Sequence, residues 1–156
     1  MSSLDITAAT VEPALLDLPW QLPLETWPAE VIAALPKGLS RHIVRFAHLN
    51  DYVIAIKETL PELAQREFEM LQNLNRIGVP CVEPFAIIRN RTDVDGEPLM
   101  AVLITRHLKF ALPYRAMWSQ GLRPDTAKRL VDALALLLVR LHAAGFFWGD
   151  VSLSNT

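Results

Sequence analysis

The sequence predicts an α+β chain: a small antiparallel sheet with one helix packed on it, followed by a helical part. Three observations carry this. Residues 42–57 hold two β-rich runs separated by Leu49-Asn50-Asp51, which is a hairpin pattern. A helical pattern opens at Pro61 and closes at Gly78, and two further apolar runs follow it. From Pro124 onward apolar residues recur at helical spacing until Gly145.

The bulk composition bounds the function classes. At 156 residues the chain fits one ordinary domain or two small lobes. With 51% apolar and 21% charged residues, a packed core is expected. The net charge of −2 exerts no general attraction on nucleic acid or anionic membrane. The single cysteine, Cys81, excludes an intrachain disulfide and suits a reducing compartment. It is expected to be a small buried residue at a strand start rather than a reactive thiol. Asp5 and Glu12 stand where a secretory signal would be basic and apolar. The longest apolar run, residues 133–139, is far short of the roughly 20 that span a bilayer. A soluble, cytoplasmic protein without a transmembrane segment is expected, with peripheral membrane association left open.

In chain order, residues 1–36 form a proline-rich leader (Pro13, Pro19, Pro23, Pro28, Pro36) in which long regular elements are blocked. One short helix is expected over 28–35. Trp20 and Trp27 either tuck against the folded body or bind a partner. Residues 42–46 alternate and read as a strand, and residues 52–57 form a second, β-branched one. The helix from Pro61 follows, then strands over 82–89 and 99–105 around the Asp95-Gly96 turn. A short helix is expected over 114–120. A long one from Pro124 carries Leu130, Leu134, Leu137, Leu138 and Leu141 on one face. The boundary between the sheet part and the helical part falls near residues 105–108.

Two charged residues stand out. Strand alternation places Lys57 on a face with Val53 and Ala55, where it either lines a pocket or marks the strand's end and reaches water. On the following helix, Glu67 falls among Leu63, Ala64, Leu71, Leu74 and Ile77. A carboxylate in an apolar stripe calls for a cation, because desolvating an ion costs several kcal/mol. Lys57, on the adjacent strand, is the obvious one, with Arg66 or Arg89 as surface alternatives. Near the C-terminus Asp150 is followed by Asn155. An acidic residue that orients a hydroxyl and an amide oxygen that binds Mg²⁺ have this spacing in phosphoryl-transfer loops, although the pair alone is common in loops.

Lys57, Glu67, Asp150 and Asn155 together, in that order, resemble the constellation of a protein-kinase-like fold. The resemblance covers roughly residues 37–156. The stretches Ser40-Arg41-His42, Ala55-Ile56-Lys57-Glu58, Arg66-Glu67, Thr105-Arg106-His107 and Trp148-Gly149-Asp150 are similar to the bacterial lipopolysaccharide kinase group and a related bacterial family. It implies an N-lobe with hinge over 37–108 and the beginning of a helical C-lobe over 109–156, after the leader of 1–36. It implies ATP and Mg²⁺ as cofactors. Lys57 would hold phosphates and pair with Glu67, and Ala55 would touch the adenine. Gly38 and Ser40 would belong to the phosphate loop and His107 to the hinge. Asp150 would be the catalytic group and Asn155 a metal ligand. The acceptor would be a hydroxyl of a sugar or lipid-linked glycan.

The chain also departs from the pattern. Pro36-Lys37-Gly38-Leu39-Ser40 holds one glycine where a glycine-rich loop is usual. Trp148-Gly149 replaces the His-Arg before the Asp, and Ser152 stands where Ser/Thr kinases carry Lys. No Asp-Phe-Gly equivalent follows before Thr156, so weak activity of an incomplete lobe is expected, with a non-catalytic nucleotide- or partner-binding module as the alternative. The histidines (42, 48, 107 and 142) have no metal-ligand spacing, and His142 is expected to be a buried hydrogen-bonding residue.

Overall fold

In the computed structural model of the chain, residues 4–35 and 42–152 are described. A five-stranded antiparallel sheet runs in the order β1-β4-β5-β3-β2. Its strands are β1 (Asp5–Ala8), β2 (Val44–Leu49), β3 (Tyr52–Thr59), β4 (Pro84–Arg89) and β5 (Ala101–Arg106). Helix α1 (Pro61–Arg76) joins β3 to β4, and α2 (Tyr114–Trp118) and α3 (Pro124–Ala143) follow β5. The β2–β3 hairpin turns at Asn50-Asp51, with Asn50 in the left-handed region (φ 50°) that asparagine tolerates. This short turn sets the register, so that Leu49 pairs with Tyr52, Phe46 with Ala55 and Val44 with Lys57.

Each face of the sheet is covered differently. Ile54, Ile56, Ala86, Ile88, Val102 and Ile104 are fully buried beneath the leader, which contributes Leu15, Trp20, Leu24 and Trp27. The leader crosses them through two short 3-10 turns, Pro13–Asp17 and Leu24–Thr26. Trp20 and Trp27 meet edge-on at 5.1 Å. On the opposite face Ala64 and Phe68 of α1 cover Ile87, Ala101 and Leu103.

Arg91, just past β4, joins the leader to the sheet. The residue is 1% exposed. Its Nε donates to the Trp20 carbonyl (3.0 Å), its Nη2 to Leu22 (2.7 Å), and its Nη1 to Met100 (2.9 Å) and to Glu58 Oε1 (3.2 Å). Glu58 in turn accepts from the Leu24 amide. Burial lowers the guanidinium pKa, and Glu58 opposes that shift.

Both long helices end in the same way. Gly78 (φ 72°) and Gly145 (φ 78°) take the left-handed conformation. Val79 N–H then reaches the Leu74 carbonyl, and Phe146 N–H reaches Leu141. The apolar pairs these caps create, Val79 with Leu74 and Phe146 with Leu141, lie in one cluster with Cys81, Leu137, Leu138 and Trp148. That cluster and the Arg140–Gly78 hydrogen bond (3.0 Å) fasten the helical part to the end of α1.

The helix expected over 28–35 is absent. Ile32 instead bridges to Ala47, with Ala33 N–H donating to Phe46 and His48 N–H to Val31. The open edge of β2 satisfies this backbone as an extended segment, and Val31 and Ile32 pack into the main core. Strand β1, unforeseen in the sequence, covers the other edge by pairing Ile6 with Ile88. The first hairpin strand also starts later than expected and runs to Leu49, where the turn begins.

Candidate functional site

Directly paired residues share a face of a sheet. Phe46, Ala55 and Thr105 therefore form one row across β2, β3 and β5, and Val44, Lys57 and Leu103 form the next. Helix α1 covers the Leu103 end. Val44, Phe46, Val53, Ala55 and Thr105 are half-buried and belong to none of the core clusters. They make an uncovered, largely apolar wall. At one end of it His107 follows β5, its amide donating to the Val53 carbonyl (2.9 Å) and its ring lying edge-on to Phe46 at 5.1 Å.

Lys57 stands at the other end of the wall. Its Nζ donates to both carboxylate oxygens of Glu67, at 2.7 and 2.5 Å. The two side chains are 27% and 43% exposed, so Glu67 sits at the border of the α1 stripe rather than inside it. The surface alternatives are not used: Arg89 pairs with Asp5 and donates to Gln65 and Thr7. An ammonium has three donors. One carboxylate engages two contacts of Lys57, and water still reaches the group, so it can meet a second anion. A largely apolar wall with a cation at its end can accept a flat ring system that carries an anionic group.

Asp150 lies in the exposed turn after α3, two residues beyond Trp148, which packs in the cluster joining α1 and α3. The same cluster therefore anchors both the end of α1 and the approach to Asp150. Gly38, Ser40 and Asn155 lie outside the described residues. Among the described residues no group of three His, Cys, Asp or Glu side chains could hold a metal ion. Cys81 is half-buried, and burial pushes its thiol pKa up, which makes it a poor nucleophile. His142 differs from expectation. It is exposed and stacks on the Phe147 ring at 6.1 Å, because it faces away from the cluster that holds Leu141.

Phe46 and Val44 were not singled out in the sequence, although a signal for them exists. With a two-residue turn at Asn50-Asp51, positions equidistant from it must face each other, which sets Phe46 beside Ala55. Arg91 and Glu58 carry no such signal.

A family model for a phosphotransferase enzyme family matches residues 31–149. The match runs from the segment bridged to β2 up to the residue before Asp150, and leaves the leader's sheet-covering turns outside. No curated protein and no solved structure matches the chain. No described helix is long and apolar enough to cross a membrane.

Proposed function

The chain belongs to the phosphotransferase enzyme family, and we propose on that footing that it is an ATP-dependent phosphotransferase of kinase-like fold acting on an alcohol group. The observation that supports this most is the Lys57–Glu67 pair at the end of the uncovered wall. Adenine lies against Ala55, with the hinge backbone at His107 at its edge. Lys57 binds the phosphates, and Glu67 holds the ammonium on the wall side. Gly38 and Ser40, between the Ile32 segment and β2, stand in the connection where a phosphate-covering loop is placed in the kinase fold. Asp150 orients the acceptor hydroxyl and takes up its proton as the oxygen bonds to the γ-phosphorus of ATP, while the bond from that phosphorus to the bridging oxygen breaks and ADP leaves. Asn155 would hold Mg²⁺, which would supply charge neutralisation at the phosphates. Residues 37–108 then form the nucleotide lobe with its hinge, and 109–156 the start of the acceptor lobe.

A sugar or lipopolysaccharide-type hydroxyl is the acceptor we favour. Ser152 in place of the lysine of Ser/Thr kinases, and Trp148-Gly149 before Asp150, support a small-molecule or glycan acceptor over a protein one.

Mg-ATP at millimolar concentration is expected to raise the melting temperature of the wild type. Lys57→Ala should abolish the shift. Asp150→Ala should keep the shift and lose transfer. No shift in the wild type would sink the nucleotide reading. A shift without any phosphate transfer from wild type would leave a binding module in place of an enzyme.

A further inference from the structure

The five residues from the end of the hinge onward, 108–112, are all exposed, and three of them are large and apolar: Leu108 (50%), Phe110 (103%) and Leu112 (66%). The Ala111 amide donates to the Leu108 carbonyl, closing a turn with Lys109 and Phe110 at its corner. Phe110 has φ 60° there, a left-handed conformation that glycine adopts freely and a bulky residue does not. Its ring touches nothing that would offset the strain, since it is fully exposed. Neither the turn nor the core accounts for phenylalanine at this corner, so an external role does.

The surroundings indicate the partner. Between Glu97 and Asp125 the sequence has no carboxylate but holds Arg106, Lys109, Arg115 and Arg123. Arg106 is engaged by Glu83, whereas Lys109, Arg115 and Arg123 have no ion pair among the described residues. Half-buried Tyr114 and Trp118 lie just behind the turn, on α2. The turn is presented firmly. His107 is bonded to β3 on one side, and the Tyr114 hydroxyl donates to the Leu130 carbonyl of α3 (3.1 Å) on the other. Protruding apolar tips, unpaired cations and flanking Tyr and Trp are the composition of a surface that lies on anionic lipid.

We propose that the turn at residues 108–112 docks this protein on the surface of an anionic phospholipid bilayer. Phe110 and its flanking leucines enter the head-group boundary, and Lys109 and Arg115 meet the lipid phosphates. The docking is independent of phosphotransfer, and because the turn follows the hinge directly, it holds the wall near the membrane plane.

The test is co-sedimentation of the full chain with vesicles of phosphatidylglycerol and phosphatidylcholine, compared with phosphatidylcholine alone. Wild type should sediment with the anionic vesicles, and less so as salt is raised. Phe110→Gly removes the apolar tip and relieves the backbone strain. It should therefore lower vesicle binding roughly tenfold while leaving the melting temperature unchanged or higher. Lys109→Glu should weaken binding to the anionic vesicles only. Wild type left in the supernatant at low salt, equal binding to both vesicle types, or undiminished binding by Phe110→Gly would each overturn the proposal. So would a dimer in solution that Phe110→Gly dissociates, because the turn would then be a contact between copies of this chain.

Discussion

Two ion pairs involving β3 show how burial separates structure from function at the scale of single residues. Lys57–Glu67 is partly exposed, and pairs of that kind contribute about 0.2–1 kcal/mol. Arg91–Glu58 is closed to water, with side chains 0% and 10% exposed. Removing one partner of such a pair costs about 3–5 kcal/mol, because the other charge stays buried. Arg91→Ala would also orphan the carbonyls of Trp20, Leu22 and Met100. In urea titrations, Arg91→Ala should lose about 3–5 kcal/mol and Glu67→Gln less than about 1 kcal/mol. A loss below 1 kcal/mol for Arg91→Ala would mean that the leader is held by apolar contact alone. Adjacent residues thus serve opposite faces of one strand: Glu58 secures the leader, and Lys57 is left for the site.

Helices α1 and α3 are joined at their ends. The two left-handed glycine caps put Leu74–Val79 and Leu141–Phe146 into one apolar cluster, and this joins α1 to α3 without a long interface. The leader is fastened at the hairpin turn by Glu12, which accepts from the Tyr52 hydroxyl (2.7 Å) and the Asn50 amide (3.0 Å). Burial and then the bond to Glu12 raise the Tyr52 pKa above 10.0. A folded pKa above the unfolded one means that this stabilisation is complete below pH 10 and is lost as pH climbs through the folded value. The melting temperature should therefore fall on titration into that alkaline range, and Tyr52→Phe should flatten the fall. An identical alkaline profile for both proteins would remove Tyr52 from the account.

At the scale of the whole molecule the sheet is the middle of three layers, with the leader on one face and α1 on the other. The leader's share can be sized. Leu15, Trp20, Leu24 and Trp27 are 0–4% exposed. Burying a large apolar side chain contributes about 1.5–3 kcal/mol. Together they approach the roughly 5–15 kcal/mol that holds a whole domain folded. Deleting residues 1–30 would uncover Ile54, Ile56, Val102 and Ile104 as well. The truncated chain should lose its cooperative thermal transition, even though the family match begins only after the deleted part. A truncated chain that melts like the full one would show the leader to be dispensable.

The hairpin, α1, α3 and the Lys57–Glu67 pairing were legible in the sequence because each is local. Strand alternation, helical spacing, Pro61 and Gly78, and a ten-residue separation between Lys57 and Glu67 all act within a few turns of chain. Residues 28–35 were misread because an extended segment bonded to a distant edge has no period of its own. Strand β1 was missed for the same reason: Thr7 and Arg89 meet across 82 residues. Arg91 and Glu58, 33 residues apart, carry no local mark of their pairing, since a sequence does not say which arginine loses its water. The uncovered wall depended on both. Its residues are set by register, which a short turn dictates locally. Its openness follows from where α1 and the leader come to rest, and that is decided by packing between parts of the chain that carry no local record of each other.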